Sequence, residues 1–438
     1  MAEFIEIRGA RENNLQDVSL RIPKRKLTIF TGVSGSGKSS IVFDTLATEA
    51  QRQLYENFSL FIRNFLPKYP QPDADAIENL TMAVIVDQKR LGGGSSSTVG
   101  TVTDIAGVLR LLFSRVGTPS AGGAIAYSFN DPRGMCMECK GLGKKVGVVS
   151  DDFLDMTKTL NEGAIQVPFF GEWDVQAYKL SGFFDNDKKL SKFSKDEMEL
   201  LLHGKDKKFK TKFGDKSINL TYMGILAKID RSYIQRDIKT LGERTQKAVM
   251  PYLKPRQCPE CKGARLNAAA LASKIGGHNI ADMSAMEVGE LLDVVRAIKA
   301  PKAGPIVNAL VERLQNVVDI GLEYLSLNRE TDTLSGGESQ RLKLVSHLVE
   351  TQRSAIRSLF IFDEPSTGLH FDDVALLLRA FERLVEAGHT LLVVEHNLEM
   401  IKCADHLVDL GPEAGDGGGF IVAEGTPEAV AACAASHI

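Results

Sequence analysis

Nowhere does the sequence approach the ~18 uninterrupted apolar residues of a membrane-crossing helix, so no helix of this chain is expected to span a bilayer. Its opening residues, MAEFIEIRGA, lack the basic-then-apolar plan of a secretory leader, and a cytoplasmic location is expected. No excess of one charge sign is present. With 53 Lys and Arg against 56 Asp and Glu the formal net charge is −3, which argues against a globally basic nucleic-acid binder but permits a local basic face. The 6 cysteines are too few and too clustered for a disulfide framework. Carboxylates and histidines do not gather into a nuclease-type metal cluster, and no domain-length segment is duplicated. What remains is an ordinary globular composition, long enough for two or three domains with a sizeable core.

Against that background three motifs stand out. Gly32–Ser39 reads GVSGSGKS, between an apolar strand pattern (LTIFTG) and a helical one (SSIVFDTLATEAQRQLYENF, opening at Ser39). Glycines at this spacing turn backbone N–H groups onto phosphates at a helix N-terminus. Gly32, Ser34, Gly35, Gly37, Lys38, Ser39 and Ser40 are therefore assigned to a nucleotide, with Lys38 reaching the β- and γ-phosphates and Ser39 ligating Mg²⁺. LFIFDEP at Leu359–Pro365 is a buried strand ending in Asp363, for the Mg²⁺ shell, and Glu364, the expected general base. LSGGE at Leu334–Glu338 is the signature of an ATP-binding cassette. Gln88, closing the strand pattern LTMAVIVDQ, is expected to sense metal and γ-phosphate, and His396, closing HTLLVVEH, to contact the γ-phosphate. In this class of engine the signature (Ser335, Gly336, Gly337) caps a nucleotide on a second cassette. A single cassette then implies a head-to-tail homodimer or a partner chain.

The phosphate loop and the signature are much further apart in sequence than a compact cassette needs. The intervening stretch carries Cys136-Met-Glu-Cys139-Lys-Gly and Cys258-Pro-Glu-Cys261-Lys-Gly, two copies of one knuckle. Four thiolates make a closed structural zinc site, the alternative being four reduced, buried cysteines. The expected fold is α/β, an ABC-type P-loop ATPase cassette interrupted by a zinc-containing inserted α+β domain. Residues 1–116 and 321–438 form the two cassette parts, and 117–320 is the signature and insertion region with zinc at its neck (the inserted domain about 145–255). Thr103 is the expected N-cap of the helix TDIAGVLRLLFSRVG. Residues 183–216 mix lysine with phenylalanine. That suits phosphate contact plus base stacking, but admixed Asp and Glu also fit a solvated helical face.

IEIRGARENNLQDVSL, GVSGSGKSSIVFDTL, STVGTVTDIAGVLRLLFSRVG, YSFNDPRGMCMECKGLG, TLSGGESQRLKL, DEPSTGLH and ADHLVDLGPEAGDGGG together resemble the UvrA family, the DNA-damage-recognition A subunit of bacterial excinuclease. The resemblance implies ATP turnover without nuclease activity, a zinc site, and binding of damaged or distorted duplex DNA. Three departures are evident. Family chains usually carry two cassettes. Their UvrB-binding domain is replaced here by the short TPSAGGAIAY, so a UvrB partnership is not expected. Ser96 stands where R-S-T-V-G-T often has arginine. Reduced relatives of this kind include proteins linked to self-resistance against DNA-binding drugs. Competing readings are a regulatory ATP-switched dimer without productive DNA contact, and a transporter's ATPase subunit, which leaves the insertion unexplained. The form of Cys136–Gly143 also occurs in DnaJ-type chaperone zinc domains.

Overall fold

The computed structural model describes residues 3–58, 60–63, 65, 67–87, 94, 96–147, 153–213, 216–234, 243–351 and 357–436. They fall into two compact units, one of Met1–Met135 with Leu266–Ile438, the other Cys136–Arg265. Residues 117–135 and 266–320, grouped with the insertion on sequence, thus belong to the cassette unit.

That unit is organised by a six-stranded sheet in the order Phe420–Gly425, His406–Gly411, Leu27–Gly32, Thr390–Val394, Leu359–Asp363, Ala83–Val86. Its pairs are parallel apart from the antiparallel edge pair His406–Gly411 with Phe420–Gly425. Central parallel strands are covered on both faces and so read as continuous apolar runs. Leu359, Phe360, Ile361 and Phe362 are each at most 1% exposed. Their alternation divides two cores. Phe360 and Phe362 enter a helix-lined cluster with Leu109, Leu291, Leu310 and Phe381. Leu359 and Ile361 face the other way, toward Ile5, Ile7, Ile22 and Ile41. This second core is closed by a separate antiparallel sheet, Val18–Pro23, Phe4–Ala10, Ala76–Glu78. Of the early strands, only Leu27–Gly32 leads directly into the phosphate loop.

Some helices start or wind differently from the sequence expectation. The segment after the phosphate loop is widely wound (π-type) over Ser40–Ala47 and α-helical over Thr48–Glu56. Thr103 does not cap the next long helix. Its hydroxyl donates to the Val99 carbonyl at 2.8 Å, ending the short helix Val99–Val102. Asp104, left-handed at φ 55°, precedes Ile105–Val116, an easier conformation for Asp than for a β-branched residue. The helix Val288–Arg296 buries Val288, Leu291, Leu292 and Val295, a single stripe, and packs on Gly304–Val318. Among the described residues no helix is long and apolar enough to cross a membrane.

The unit Cys136–Arg265 has its own core, including Phe153, Tyr178, Phe184, Leu201, Tyr222 and Ile229. Lys144–Gly147 pairs with Lys254–Gln257, and Lys207–Phe213 with Lys216–Tyr222, both antiparallel. The helix Lys195–His203 opens on a reciprocal Ser194–Glu197 cap. The lysine-rich stretch is therefore a helix followed by a β-hairpin, not one solvated helical face. Its described phenylalanines point inward: Phe183 and Tyr222 meet edge-on with centroids 5.0 Å apart, Phe184 stacks on Phe193 at 5.8 Å, and Phe209 packs against the same core. Phe184 is buried and Phe183, Phe193 and Phe209 are partly buried against this core.

Phe381 fastens the helix Phe371–Glu386 to the sheet, 1% exposed and with its ring centroid 4.6 Å from that of Phe362. Phe381→Ala should lower stability by about 3–5 kcal/mol, read as a reduced urea midpoint at unchanged slope. A shift worth less than about 1 kcal/mol would mean that this contact does not hold helix to sheet.

Candidate nucleotide site and metal centre

The candidate phosphate-loop residues, Asp363, Glu364 and His396 lie at the C-terminal ends of three parallel strands, where such sheets bind ligands. Gly32, Gly35 and Gly37 have φ of 128°, 78° and 104°, so the loop needs residues without side chains. At Gly32 a Cβ would fall 2.0 Å from the Leu410 carbonyl oxygen. Ser34, Gly35 and Ser39 are exposed and Gly32 is half-buried, while Gly37, Lys38 and Ser40 are buried. The Lys38 ammonium donates to the carbonyls of Gly32 (2.9 Å) and Val33 (2.8 Å). Burial pushes its pKa down, and the charges of Glu364 and Asp409 pull the other way. Asn14 holds the loop from outside. Its amide donates to the Gly35 (3.0 Å) and Gly415 (3.3 Å) carbonyls and accepts from the Ser40 hydroxyl (3.2 Å).

On the strand Leu359–Asp363, separated from Leu27–Gly32 by Thr390–Val394, Asp363 has its pKa raised by burial and by the charges of Glu364 and Asp87, an environment that a bound cation would relieve. Glu364 is left-handed at φ 41°, a conformation that costs a non-glycine residue on the order of 1–3 kcal/mol and that collects at functional sites. Its carboxylate lies 3.3 Å from His396 Nε2. Both groups are partly exposed, at 44% and 46%. A cavity of about 250 Å³ opens beside them, lined by Thr31, Gly32, Val33, His396 and Asp409 among others. Gln88 lies outside the described residues.

The signature opens the helix Gly336–Thr351. Ser335 is its cap: its hydroxyl accepts from Glu338 N–H at 3.2 Å, and Glu338 accepts from Ser335 N–H at 2.7 Å. Burial would raise the Glu338 pKa, but the Ser335 donors, Tyr324 and Arg329 hold it below the usual range. Gly336 and Gly337 leave the first-turn amides uncovered by side chains. Two residues further along fix the helix to the site. Gln340 donates to the Val86 and Asp363 carbonyls, both at 3.0 Å, and Lys343 pairs with Asp87 at 2.6 Å. Asn14, Gln340, Lys343 and the buried Glu395 were not singled out on sequence, because a single Asn, Gln or Lys in a polar stretch carries no spacing signal.

In the other unit Cys136, Cys139, Cys258 and Cys261 come together with every sulfur within 4.8 Å of the rest, all buried. Cys136–Cys258 and Cys139–Cys261 are 4.0 and 3.7 Å apart. Tetrahedral zinc with ~2.3 Å bonds needs S–S edges of about 3.8 Å, so the set fits. Each knuckle turns through left-handed residues, Lys140 and Gly141 in one, Lys262 and Gly263 in the other. Gly143 N–H donates to Cys139 Sγ at 3.2 Å. Burial pushes Cys139 up and Cys261 up to about 12. Burial also acts on Cys258, but the N–H groups of Cys261 and Glu260 draw its thiol down overall. Cys403 and Cys433 stand apart as free thiols.

A scan against models of protein families finds no match. Two curated relatives are similar over almost all of this chain. The UvrABC system protein A of Paucimonas lemoignei is 33% identical, over 99% of this chain and 68% of its own length. That of Lactococcus lactis is 30% identical, over 97% and 61%. The crystal structure of UvrA2 from Deinococcus radiodurans matches with a TM-score of 0.73 and 32% identity, over 99% of this chain and 57% of that one. The chain thus spans between 57% and 68% of the length of these relatives. With the phosphate loop, signature, Asp363–Glu364 strand end and four-cysteine centre all in place, the chain belongs to the UvrABC system protein A family.

Proposed function

We propose that the chain is an ATPase whose nucleotide cycle controls its hold on duplex DNA, with preference for damaged or drug-distorted sites. The observation that carries this is the convergence of the Gly32–Ser40 cradle, Asp363 and the Glu364–His396 pair at one end of the sheet, in a chain of this family. ATP is the substrate, its phosphates lying along the loop amides with Lys38 turned toward the β- and γ-groups. Ser39 and Asp363 would hold Mg²⁺, with Gln88 assigned to the same shell; when bound, the ion neutralises phosphate charge and aligns the β- and γ-oxygens. Glu364 orients the attacking water and takes its proton, and His396 orients the γ-phosphate. Ser335, Gly336 and Gly337 cap the nucleotide of a second cassette, in a homodimer or with a partner chain, so that ATP closes the pair and hydrolysis releases it. Distortion is read through DNA deformability and not base identity, since a bent or unstacked site costs less to deform further.

Fluorescence anisotropy on matched intact and lesion-bearing duplexes, with ATP, ADP and neither at fixed salt, tests this reading. The expected outcome is lesion-preferring binding that changes with nucleotide, alongside ATP turnover. Turnover without DNA binding in any state would replace it with the ATP-switched regulatory dimer.

Zinc is the metal we assign to the four cysteines, as a structural ion that replaces four thiol protons. Purified protein should carry one zinc per chain by elemental analysis, and Cys258→Ser should lose it together with thermal stability of the inserted unit. A folded wild-type chain without zinc would sink the assignment.

For DNA contact the hairpin register narrows the lysines. Lys208 and Lys210 are exposed and pair across the hairpin with Thr221 and Asn219, a face of neutral hydrogen-bonding partners. Lys207, on the opposite side, has its ammonium 5.2 Å from the centre of the Phe183 ring. Replacing Lys208 and Lys210 with glutamine should weaken binding on all sequences and flatten the salt dependence by about 1 log unit per lost phosphate contact. Lys207→Gln should do less. An unchanged slope for the double variant would remove this face from the interface.

A further inference from the structure

Glu395 precedes His396 and is 2% exposed. Its carboxylate Oε1 accepts from Ser366 N–H at 2.8 Å. Its other oxygen, Oε2, accepts from His396 N–H at 2.7 Å and Asn397 N–H at 3.0 Å. One buried carboxylate therefore joins two catalytic loops, the one following Asp363–Glu364 and the one carrying His396. Pro365 offers no N–H of its own, so the next available donor beyond Glu364 is the Ser366 amide. On its other side Glu364 is tied to the same strand by its own N–H, which donates to the Val394 carbonyl at 2.9 Å. The left-handed backbone of Glu364 is thus gripped on both sides, and the grip and the His396 loop share one anchor.

We propose that Glu395 is a positioning residue that sets the separation and orientation of the Glu364–His396 pair. The inference deepens the ATPase reading and rests on it. A carboxylate is suited to the task because it presents only acceptors, and three converging N–H donors need acceptors on both oxygens. Glutamine keeps the shape but turns one end into a donor, which must face either Ser366 N–H or the His396 and Asn397 pair. Aspartate keeps the charge but is one methylene shorter. It can still serve its own loop while falling short of Ser366.

The test uses the full-length chain carrying Glu395→Gln and Glu395→Asp, with wild type beside them. Steady-state ATP turnover, ATP affinity, thermal midpoint and amide hydrogen exchange of peptides spanning 364–370 and 395–400 are read together. Glu395→Gln should lower kcat by about tenfold or more while KM stays within about twofold, the split expected when geometry and not ground-state binding is lost. Exchange should accelerate at one or both tethered segments. In Glu395→Asp it should accelerate around Ser366 while the 395–400 segment stays protected, and kcat should fall as well. Wild-type kcat in both variants would overturn the proposal. So would a loss of kcat matched by equal losses of ATP affinity and thermal midpoint, which marks a merely structural carboxylate. If wild type binds Mg²⁺–ATP without turning it over, the ATPase reading fails on its own. The exchange pattern then decides, and unchanged protection at Ser366 and His396 overturns the tether.

Discussion

The strand Leu27–Gly32 is held between two strands from the far end of the chain, and the cassette site depends on that pairing. Leu391 to Val394 pair with Leu27 to Phe30 on one side, and His406 to Leu410 with Thr28 to Gly32 on the other. The wall against which Gly32 must fit, the Leu410 carbonyl, is therefore supplied by the strand His406–Gly411. The strap over the loop is equally remote, since Asn14 reaches both Gly35 and Gly415. Parallel pairing over such separations closes long loops before it is repaid by contact, so the phosphate loop cannot acquire its final shape early in folding. It becomes a rigid cradle only when the whole sheet is in place.

That rigidity is what allows charge to be stored near the loop. Lys38 and Asp363 sit where burial disfavours the ionised form of each, and Glu364 occupies a strained backbone beside them. A nucleotide carrying a divalent ion brings charges of the kind these groups lack. In the proposed reading, binding would relieve penalties that folding imposed, and part of the affinity would come from that relief. The tethers at Glu395, Gln340 and Lys343 belong to the same logic. Each runs from a side chain to backbone or carboxylate at a strand end, holding Asp363, Asp87 or the His396 loop against relaxation. Because Gln340 and Lys343 stand on the signature helix, a ligand seated on the first turn of that helix acts on a rigid element already bonded to Asp363 and Asp87.

Much of this was legible in the sequence where chemistry demands spacing. The glycines of the phosphate loop, the apolar run ending in Asp363, and the paired knuckles each combine residue type with a fixed interval, and each occupies the element expected. The strands were legible because burial on both faces leaves uninterrupted apolar runs. Propensity misled where tertiary contacts overrode it. Thr103 is a good capping residue, yet its hydroxyl closes the preceding turn and Asp104 takes the left-handed position. Residues 183–216 read as phosphate contact with base stacking or as a solvated helical face, whereas they form a helix and a hairpin strand, with Phe183 packed edge-on against Tyr222 of the next strand. Glu395 was invisible for a different reason. Its role lies in which backbone amides surround it, and Ser366 is brought there by strand pairing alone.

The insertion obeys a constraint of its own. Within the cassette unit Met135 and Leu266 face each other across a bridge, and within the inserted unit Cys136 N–H donates to the Arg265 carbonyl at 2.9 Å. Each unit therefore brings its two chain ends together independently. Once the ends are adjacent, lengthening the segment between them adds closure entropy only logarithmically, about 0.6 kcal/mol per doubling. The large excursion is thus inexpensive provided its base is fixed. The four cysteines stand at that base, two from each end, with Arg265 reaching across to the Gly141 carbonyl at 2.7 Å. A metal there would act much as a cross-link does, removing freedom from the unfolded segment at the point where both ends must meet. The inserted core, with its packed Tyr178, Phe184 and Tyr222, can then fold as a domain in its own right, and its surface can vary without disturbing the register that holds Gly32 against Leu410.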